Sequence, residues 1–179
     1  MYKPIFNINS NINWVNFSAN PNAIDILEQN TDKVIWKWLS QNPNAIHIIE
    51  KNLDKVDWYS LSMNPNAIHI LEKNINKIVW IPLSMNPNAI NILEQNIDKV
   101  NWFYLSENPN AIDIIEQNLE NLKKLNKINW FGLSKNPNAV HILEKNSCTI
   151  HLNPLSGNPN AIHIIEKNLD YINKSFDLS

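Results

Sequence analysis

The chain has 179 residues, of which 44% are hydrophobic and 18% charged, and its formal net charge is −2. This length suits one compact domain or one continuous array of repeats with a buried core. The balanced charge provides no broad basic field for nucleic acid or an anionic membrane. All 15 cations are lysines, so the arginine that commonly reads guanine is missing. The single cysteine, Cys148, excludes an internal disulfide and a zinc site of several cysteines.

The sequence contains no candidate membrane span, because its longest apolar runs have three or four residues. Residues 1–13 contain one lysine and no apolar core of a secretory signal. We therefore expect a cytoplasmic protein whose partners include neither a membrane nor a nucleic acid.

The tetrapeptide Asn-Pro-Asn-Ala recurs along the chain. It begins at Asn20, Asn42, Asn64, Asn86, Asn108, Asn136 and Asn158, so the spacing is 22 residues except for one interval of 28. A fixed period of this size is typical of solenoids, in which neighbouring units share one core. The pattern predicts a single repeat domain over residues 1–179, with a cap over about 1–13, seven repeats over about 14–170 and a tail over 171–179.

Each repeat is predicted to form an α-helix followed by a short α- or 3-10 turn. In the second copy, Asn42 is the expected helix N-cap and Pro43 the first helical residue. The apolar residues that follow return on one face of a helix. Asn52 would point into that face, so we expect the helix to end there with Asn52 in or near the left-handed conformation. Asp57 is the expected cap of the second turn.

A β-solenoid or leucine-rich-repeat horseshoe is the competing fold. Ile46, His47 and Ile48 alternate as a strand would, and 22 residues is a plausible length for one coil. Against this, the chain has only 2 glycines for turns, and Glu50 and Lys51 stand at good helix positions. The favoured fold class is therefore an all-α solenoid.

The repeat unit reads Leu-Ser-x-Asn-Pro-Asn-Ala-Ile-x-Ile-Leu-Glu-x-Asn-x-Asp-Lys-x-x-Trp from Asn11 to about Asp170. It resembles the short repeats of giant amoeba-infecting, mimivirus-like DNA viruses, which implies a viral protein of the host cytoplasm or virus factory. It is more loosely similar to the bacterial leucine-rich variant repeat, although it lacks the arginines of those units. That likeness implies a right-handed superhelix. Neither resemblance brings a catalytic residue or a cofactor with it.

Two polar columns recur in the repeats. The first is expected on the exposed face and contains Asp25, His47, His69, Asn91, Asp113, His141 and His163. Neighbouring helices lie about 8–10 Å apart, so two histidines would have to lean together to share an ion. The second column contains Glu28, Glu50, Glu72, Glu94, Glu116, Glu144 and Glu166. Because its environment repeats, we expect solvated pairs with lysines and no acid–base chemistry, metal, cofactor or enzymatic activity.

The aromatic residues divide into a periodic and a variable set. The periodic set, which we expect in the core, is Trp14, Trp36, Trp58, Trp80, Trp102 and Trp130, with Leu152 in the seventh place. The two positions after each tryptophan vary between repeats, and they supply the candidate protein-binding residues Trp38, Tyr59, Ile81, Phe103, Tyr104 and Phe131. The other positions of the repeat barely change from copy to copy, so the variable apolar positions are the ones that can recognise a specific partner. Alternatively, these rings only cover the short turns.

Six extra residues lie within 119–127. Leu119, Leu122 and Leu125 recur at every third position, which predicts a longer helix or a helical bulge. Insertions in solenoids often mark a binding face, although this one is equally compatible with a neutral change. We expect a non-enzymatic scaffold that binds a protein or peptide, and the alternatives are a homo-oligomer assembled through open ends and a leucine-rich-repeat-like or β-solenoid binding module.

Overall fold

The computed structural model describes residues 12–146 and 149–176, with side chains up to Leu169. Within these ranges the chain forms fourteen α-helices, with 3-10 turns at Ile75–Lys77 and Ile97–Lys99, and no strand. The horseshoe and the β-solenoid both need strands, so that alternative is wrong. Most of the predicted cap over 1–13, Cys148 and the side chains of the tail over 171–179 lie outside the described residues.

The chain divides into two compact units, Met1–Pro82 and Leu83–Ser179. The first unit contains α1 (Trp14–Ala19), α2 (Ile24–Gln29), α3 (Trp36–Gln41), α4 (Ile46–Glu50), α5 (Trp58–Met63) and α6 (Ile68–Lys73). The second contains α8 (Ile90–Gln95), α9 (Trp102–Leu105), α10 (Ile112–Lys124), α11 (Trp130–Lys135), α12 (Val140–Glu144), α13 (Leu152–Leu155) and α14 (Ile162–Phe176). The boundary falls within α7 (Trp80–Met85).

Each repeat contributes a pair of helices, and equivalent helices of successive repeats stack. In the first unit α3 packs between α1 and α5, and in the second unit α11 packs against α13. Apart from α10 and α14 the helices have four to six residues, too few to be stable alone, so packing between repeats must stabilise them. The predicted all-α solenoid is confirmed, whereas its right-handed sense stays a prediction.

Small aliphatic side chains form the core. Leu39, Leu61 and Leu71 are fully buried, as is the alanine of each Asn-Pro-Asn-Ala motif from the second copy onward. The prediction that the periodic tryptophans belong to this core is wrong. All of them are only half-buried, and Leu152 in the seventh place is about half exposed. Alanine, leucine and isoleucine fill the space between the helices, and the indoles lie at its edge.

The asparagine that begins each motif does not cap the helix that follows it. In the second copy Asn42 ends α3, and α4 begins four residues later with Ala45 at its N-cap. The Asn42 side chain instead accepts the Asn44 N–H at 3.1 Å, which makes a tight turn. The predicted N-cap role is therefore wrong, and the helix is correspondingly shorter.

The amide nitrogen of the same asparagine joins one repeat to the one before it. Asn64 Nδ2 donates to the carbonyls of Ser40 and Asn42, each at 3.0 Å. Equivalent pairs of hydrogen bonds are made by Asn42, Asn108, Asn136 and Asn158. The amides are buried with every donor satisfied, so they form a ladder that fixes the register of the stack.

Two further polar positions lie at helix ends, an asparagine at the C-terminal end of one helix and an aspartate at the N-terminal end of another. Asn74 ends α6, and its Nδ2 donates to the Ile70 carbonyl at 2.8 Å. Its φ of −133° is not left-handed, so the predicted conformation is wrong. The predicted helix end holds in some copies only, because α4 already ends at Glu50, and Asn118 and Asn168 lie inside α10 and α14. Asp57 accepts the Ser60 N–H at 2.8 Å and caps α5, as predicted.

Candidate protein-binding surface

The position directly after each periodic tryptophan points outward. In the first unit it holds Tyr59 and Ile81, and in the second unit Phe103 and Phe131. These four side chains are between 44% and 55% exposed. We name them the exposed column. Exposed apolar groups that recur on a surface can mark an interaction site, so the part of the exposed column in each unit is a candidate protein-binding surface.

The next position along the chain behaves differently from one repeat to another. Trp38 is 37% exposed and Tyr104 is half-buried, but Ser60, Pro82 and Gly132 are buried. From the sequence, both positions were predicted to bind a protein. In the structure only the first of them is regularly exposed and apolar, and Trp38 and Tyr104 are aromatic residues at the second position in one repeat each.

The rings of the second unit have neighbours that orient them. Phe103 and Tyr104 meet edge to face, with ring centroids 5.6 Å apart. Phe131 lies edge to face with His151 at 5.9 Å, and Lys135 Nζ lies 4.7 Å from the Phe131 ring. In the first unit Lys37 Nζ lies 5.8 Å from the Trp38 ring. Four of the candidate residues, Trp38, Phe103, Tyr104 and Phe131, therefore each have an aromatic or cationic neighbour.

A lysine covers the periodic tryptophan of the preceding repeat in the first unit. The three pairs are Lys33 with Trp14 at 5.6 Å, Lys55 with Trp36 at 5.5 Å and Lys77 with Trp58 at 4.9 Å. The expected pairing of glutamates with lysines is found at Glu28 and Lys51, whereas Lys33, Lys55 and Lys77 lie over rings instead. A half-buried indole presents a large π face, which attracts the lysine ammonium.

The glutamate column pairs mainly with the histidine column of the following repeat. His69 Nε2 lies 2.8 Å from Glu50 Oε1, and matching pairs are His47 with Glu28, His141 with Glu116 and His163 with Glu144. Lys51 also donates to Glu28 at 2.8 Å and lowers the pKa of that carboxyl. Within the described part of the chain, no three histidine, cysteine or acidic residues come together as a metal site. These pairs are exposed polar contacts between repeats.

The six extra residues lengthen α10 to Lys124. Of the two predicted alternatives, the longer helix is therefore correct. Asn126 then takes a left-handed φ of 51°. The Asn126 N–H donates to the Lys123 carbonyl at 3.1 Å, and the Lys127 N–H donates to the Leu122 carbonyl at 3.0 Å. This is a Schellman cap, with asparagine at the position where glycine is most common.

A cleft of about 300 Å³ lies beside this cap. It is lined by Val100, Asn101, Trp102, Phe103, Asn126 and Lys127. Of these residues only Phe103 was a candidate from the sequence. The available signal was the single 28-residue interval, which marks where the regular stack is interrupted.

Comparison with protein-family models, curated proteins and solved structures found no match for this chain. Every helix within residues 12–146 and 149–176 is too short or too polar to span a bilayer. The functional argument therefore depends on the surfaces described above.

Proposed function

We propose that this protein is a non-enzymatic repeat scaffold that binds another protein or a peptide through the exposed column of each unit, Tyr59 and Ile81 in the first and Phe103 and Phe131 in the second. The observation that carries the proposal is the exposure of these large apolar side chains, between 44% and 55%, at a position that varies between repeats. Phenylalanine and tyrosine provide a large contact area and lose little rotamer freedom on binding, which favours them as anchors.

The surrounding positions support the same function. The asparagine ladder and the leucine core repeat with little change, and they hold the variable position on short, closely packed helices. Four exposed histidine–glutamate pairs recur between repeats, and this arrangement suits a scaffold better than a catalyst. The proposed location is the host cytoplasm or virus factory, on the strength of the resemblance to giant-virus repeats.

The test begins with affinity capture and mass spectrometry from the native host cell, followed by purification of the partner. Titration calorimetry then compares the wild-type chain with Tyr59→Ser combined with Phe103→Ser. Loss of the two anchors is expected to weaken binding at least about tenfold. The control is His47→Ala combined with His69→Ala, and circular dichroism checks that every variant is folded. If the histidine pair abolishes binding while the aromatic pair leaves it unchanged, the proposed surface is the wrong one.

Homo-oligomerisation is the second candidate. Its supporting observation is in the last repeat, where Leu152, Ile162 and Leu169 are each about half exposed. Ile68, which is the equivalent of Ile162 in an earlier repeat, is less exposed than Ile162. Light scattering over a concentration series separates the candidates, since assembly through such a face makes the mass rise with concentration, and Ile162→Lys should abolish that rise.

A further inference from the structure

The six-residue insertion changes the surroundings of one tryptophan. In the first unit the repeat lysine lies over the indole of the preceding repeat, as Lys77 lies over Trp58 at 4.9 Å. Lys127 is the equivalent lysine for Trp102, but α10 and its Schellman cap separate the two positions by six more residues. The Lys127 ammonium has no ring, carboxylate or hydrogen-bond partner among the described residues, and it lines the cleft beside Trp102 instead.

The cleft therefore combines an apolar wall with an unpaired cation. Val100, Trp102 and Phe103 supply the wall, and Lys127 supplies the charge. The volume of the cleft, about 300 Å³, is at the lower end of the range of about 300–1,000 Å³ for ligand pockets, and it has room for one large side chain.

The segment that contributes Asn126 and Lys127 to the cleft is basic, although the chain as a whole is not. Residues 119–127 contain Lys123, Lys124 and Lys127 against one acid, Glu120. That acid is already paired, because Lys123 Nζ lies 3.0 Å from Glu120 Oε1. Lys124 and Lys127 thus add local positive charge to a chain of net charge −2, and this charge complements an acidic ligand.

We propose that this cleft binds an acidic peptide segment that inserts one aromatic side chain between Trp102 and Phe103 and places a carboxylate at Lys127. The inference rests on the proposed function and names the partner class for one part of the surface. A single-stranded nucleic acid would also offer rings and negative charge. A peptide is favoured because strand binding needs a positive groove along several nucleotides, whereas here one lysine stands beside one pair of rings.

The probe is a fluorescein-labelled peptide with one tryptophan among aspartates and glutamates, and binding to the full chain is followed by fluorescence anisotropy. Two control peptides carry serine in place of tryptophan or lysine in place of the acids. Lys127→Glu and Phe103→Ser are each expected to weaken binding at least about tenfold. The matched control is Lys55→Glu, which changes the net charge by the same amount and removes a lysine that lies over Trp36, outside the cleft. This variant should alter the affinity for the peptide less than about twofold.

A deletion tests the role of the insertion directly. Removing residues 120–125 leaves Asn-Leu-Asn-Lys-Ile, which matches the pattern from Asn74 to Ile78 in a regular repeat. This variant should retain its helical circular dichroism and lose binding, because the lysine can again cover Trp102. If it unfolds, Lys127→Glu and Lys55→Glu still decide the question.

Four results would overturn the inference. They are no binding of the acidic aromatic peptide, equal binding of either control peptide, equal weakening by Lys55→Glu, and tighter binding of an oligothymidine of similar length. None of these results contradicts the proposed function. The proposed function fails if the captured partner binds the Tyr59→Ser and Phe103→Ser double variant with the same affinity as the wild type.

Discussion

The side-chain amide of Asn64 donates to the backbone carbonyl of Asn42, 22 residues earlier in the chain, at 3.0 Å. It donates at the same distance to the carbonyl of Ser40, and its own oxygen accepts the Asn66 N–H. One fully buried side chain thus satisfies two carbonyls of the previous repeat and closes a turn in its own. This explains why asparagine recurs at this position, since no other side chain of that size offers two donors and an acceptor.

Replacement of Asn64 by aspartate tests the ladder. The shape and the acceptor oxygen are kept, but both donors are lost and a carboxylate faces two carbonyls. We expect the free energy of unfolding to fall by at least about 2 kcal/mol. Urea denaturation followed by tryptophan fluorescence measures the change. The control is Asn66→Ala, which removes one exposed hydrogen bond to the Pro43 carbonyl and should cost about 0.5–1 kcal/mol. Equal losses would contradict the ladder's role.

The contact between Lys77 and Trp58 predicts a measurable coupling. Lys77 Nζ lies 4.9 Å from the centre of the half-buried Trp58 ring. In a double-mutant cycle with Trp58→Ala and Lys77→Ala, we expect a coupling energy of about 0.5–1 kcal/mol. Chemical denaturation of the four proteins gives this value. The control is Lys37, whose Nζ lies over the Trp38 ring rather than over Trp58. A double-mutant cycle with Lys37→Ala and Trp58→Ala should give a coupling energy near zero.

Glu28 should titrate below its ordinary pKa of 4.5, mainly because it accepts a hydrogen bond from Lys51 and is attracted by that charge. The lower pKa means that the folded chain binds protons less readily than the unfolded one. Its stabilising effect is therefore complete above pH 4.5 and is lost as the pH falls through the folded-state value. NMR titration of the carboxyl should show that Lys51→Gln raises the pKa of Glu28, and an unchanged pKa would contradict the pairing.

Sequence-selective binding to nucleic acid is not expected at physiological salt. The chain has no arginine and a net charge of −2, so it lacks the side chain that commonly reads guanine and the field that attracts phosphate. Gel-shift assays against random double- and single-stranded pools would contradict this expectation if they enriched one sequence with submicromolar affinity.

The spacing of short motifs determined the secondary structure class. The 22-residue period, the scarcity of glycine and the amphipathic helical pattern predicted paired helices, and Asp57 was correctly identified as a helix cap. These features depend on a few neighbouring residues, which is why the order of the residues alone is enough to predict them.

Only the tertiary structure decided which groups meet across the repeats. Asn42 could have capped its own helix with its side-chain oxygen, but that oxygen accepts the Asn44 N–H, and the amide nitrogen donates to two carbonyls of the preceding repeat. Lys77 could have paired with glutamate, but the edge position of Trp58 placed an aromatic face within its reach. Local sequence sets which partners a side chain is able to take. Which of them it takes depends on residues about 20 positions away, and these come near only when the repeats stack.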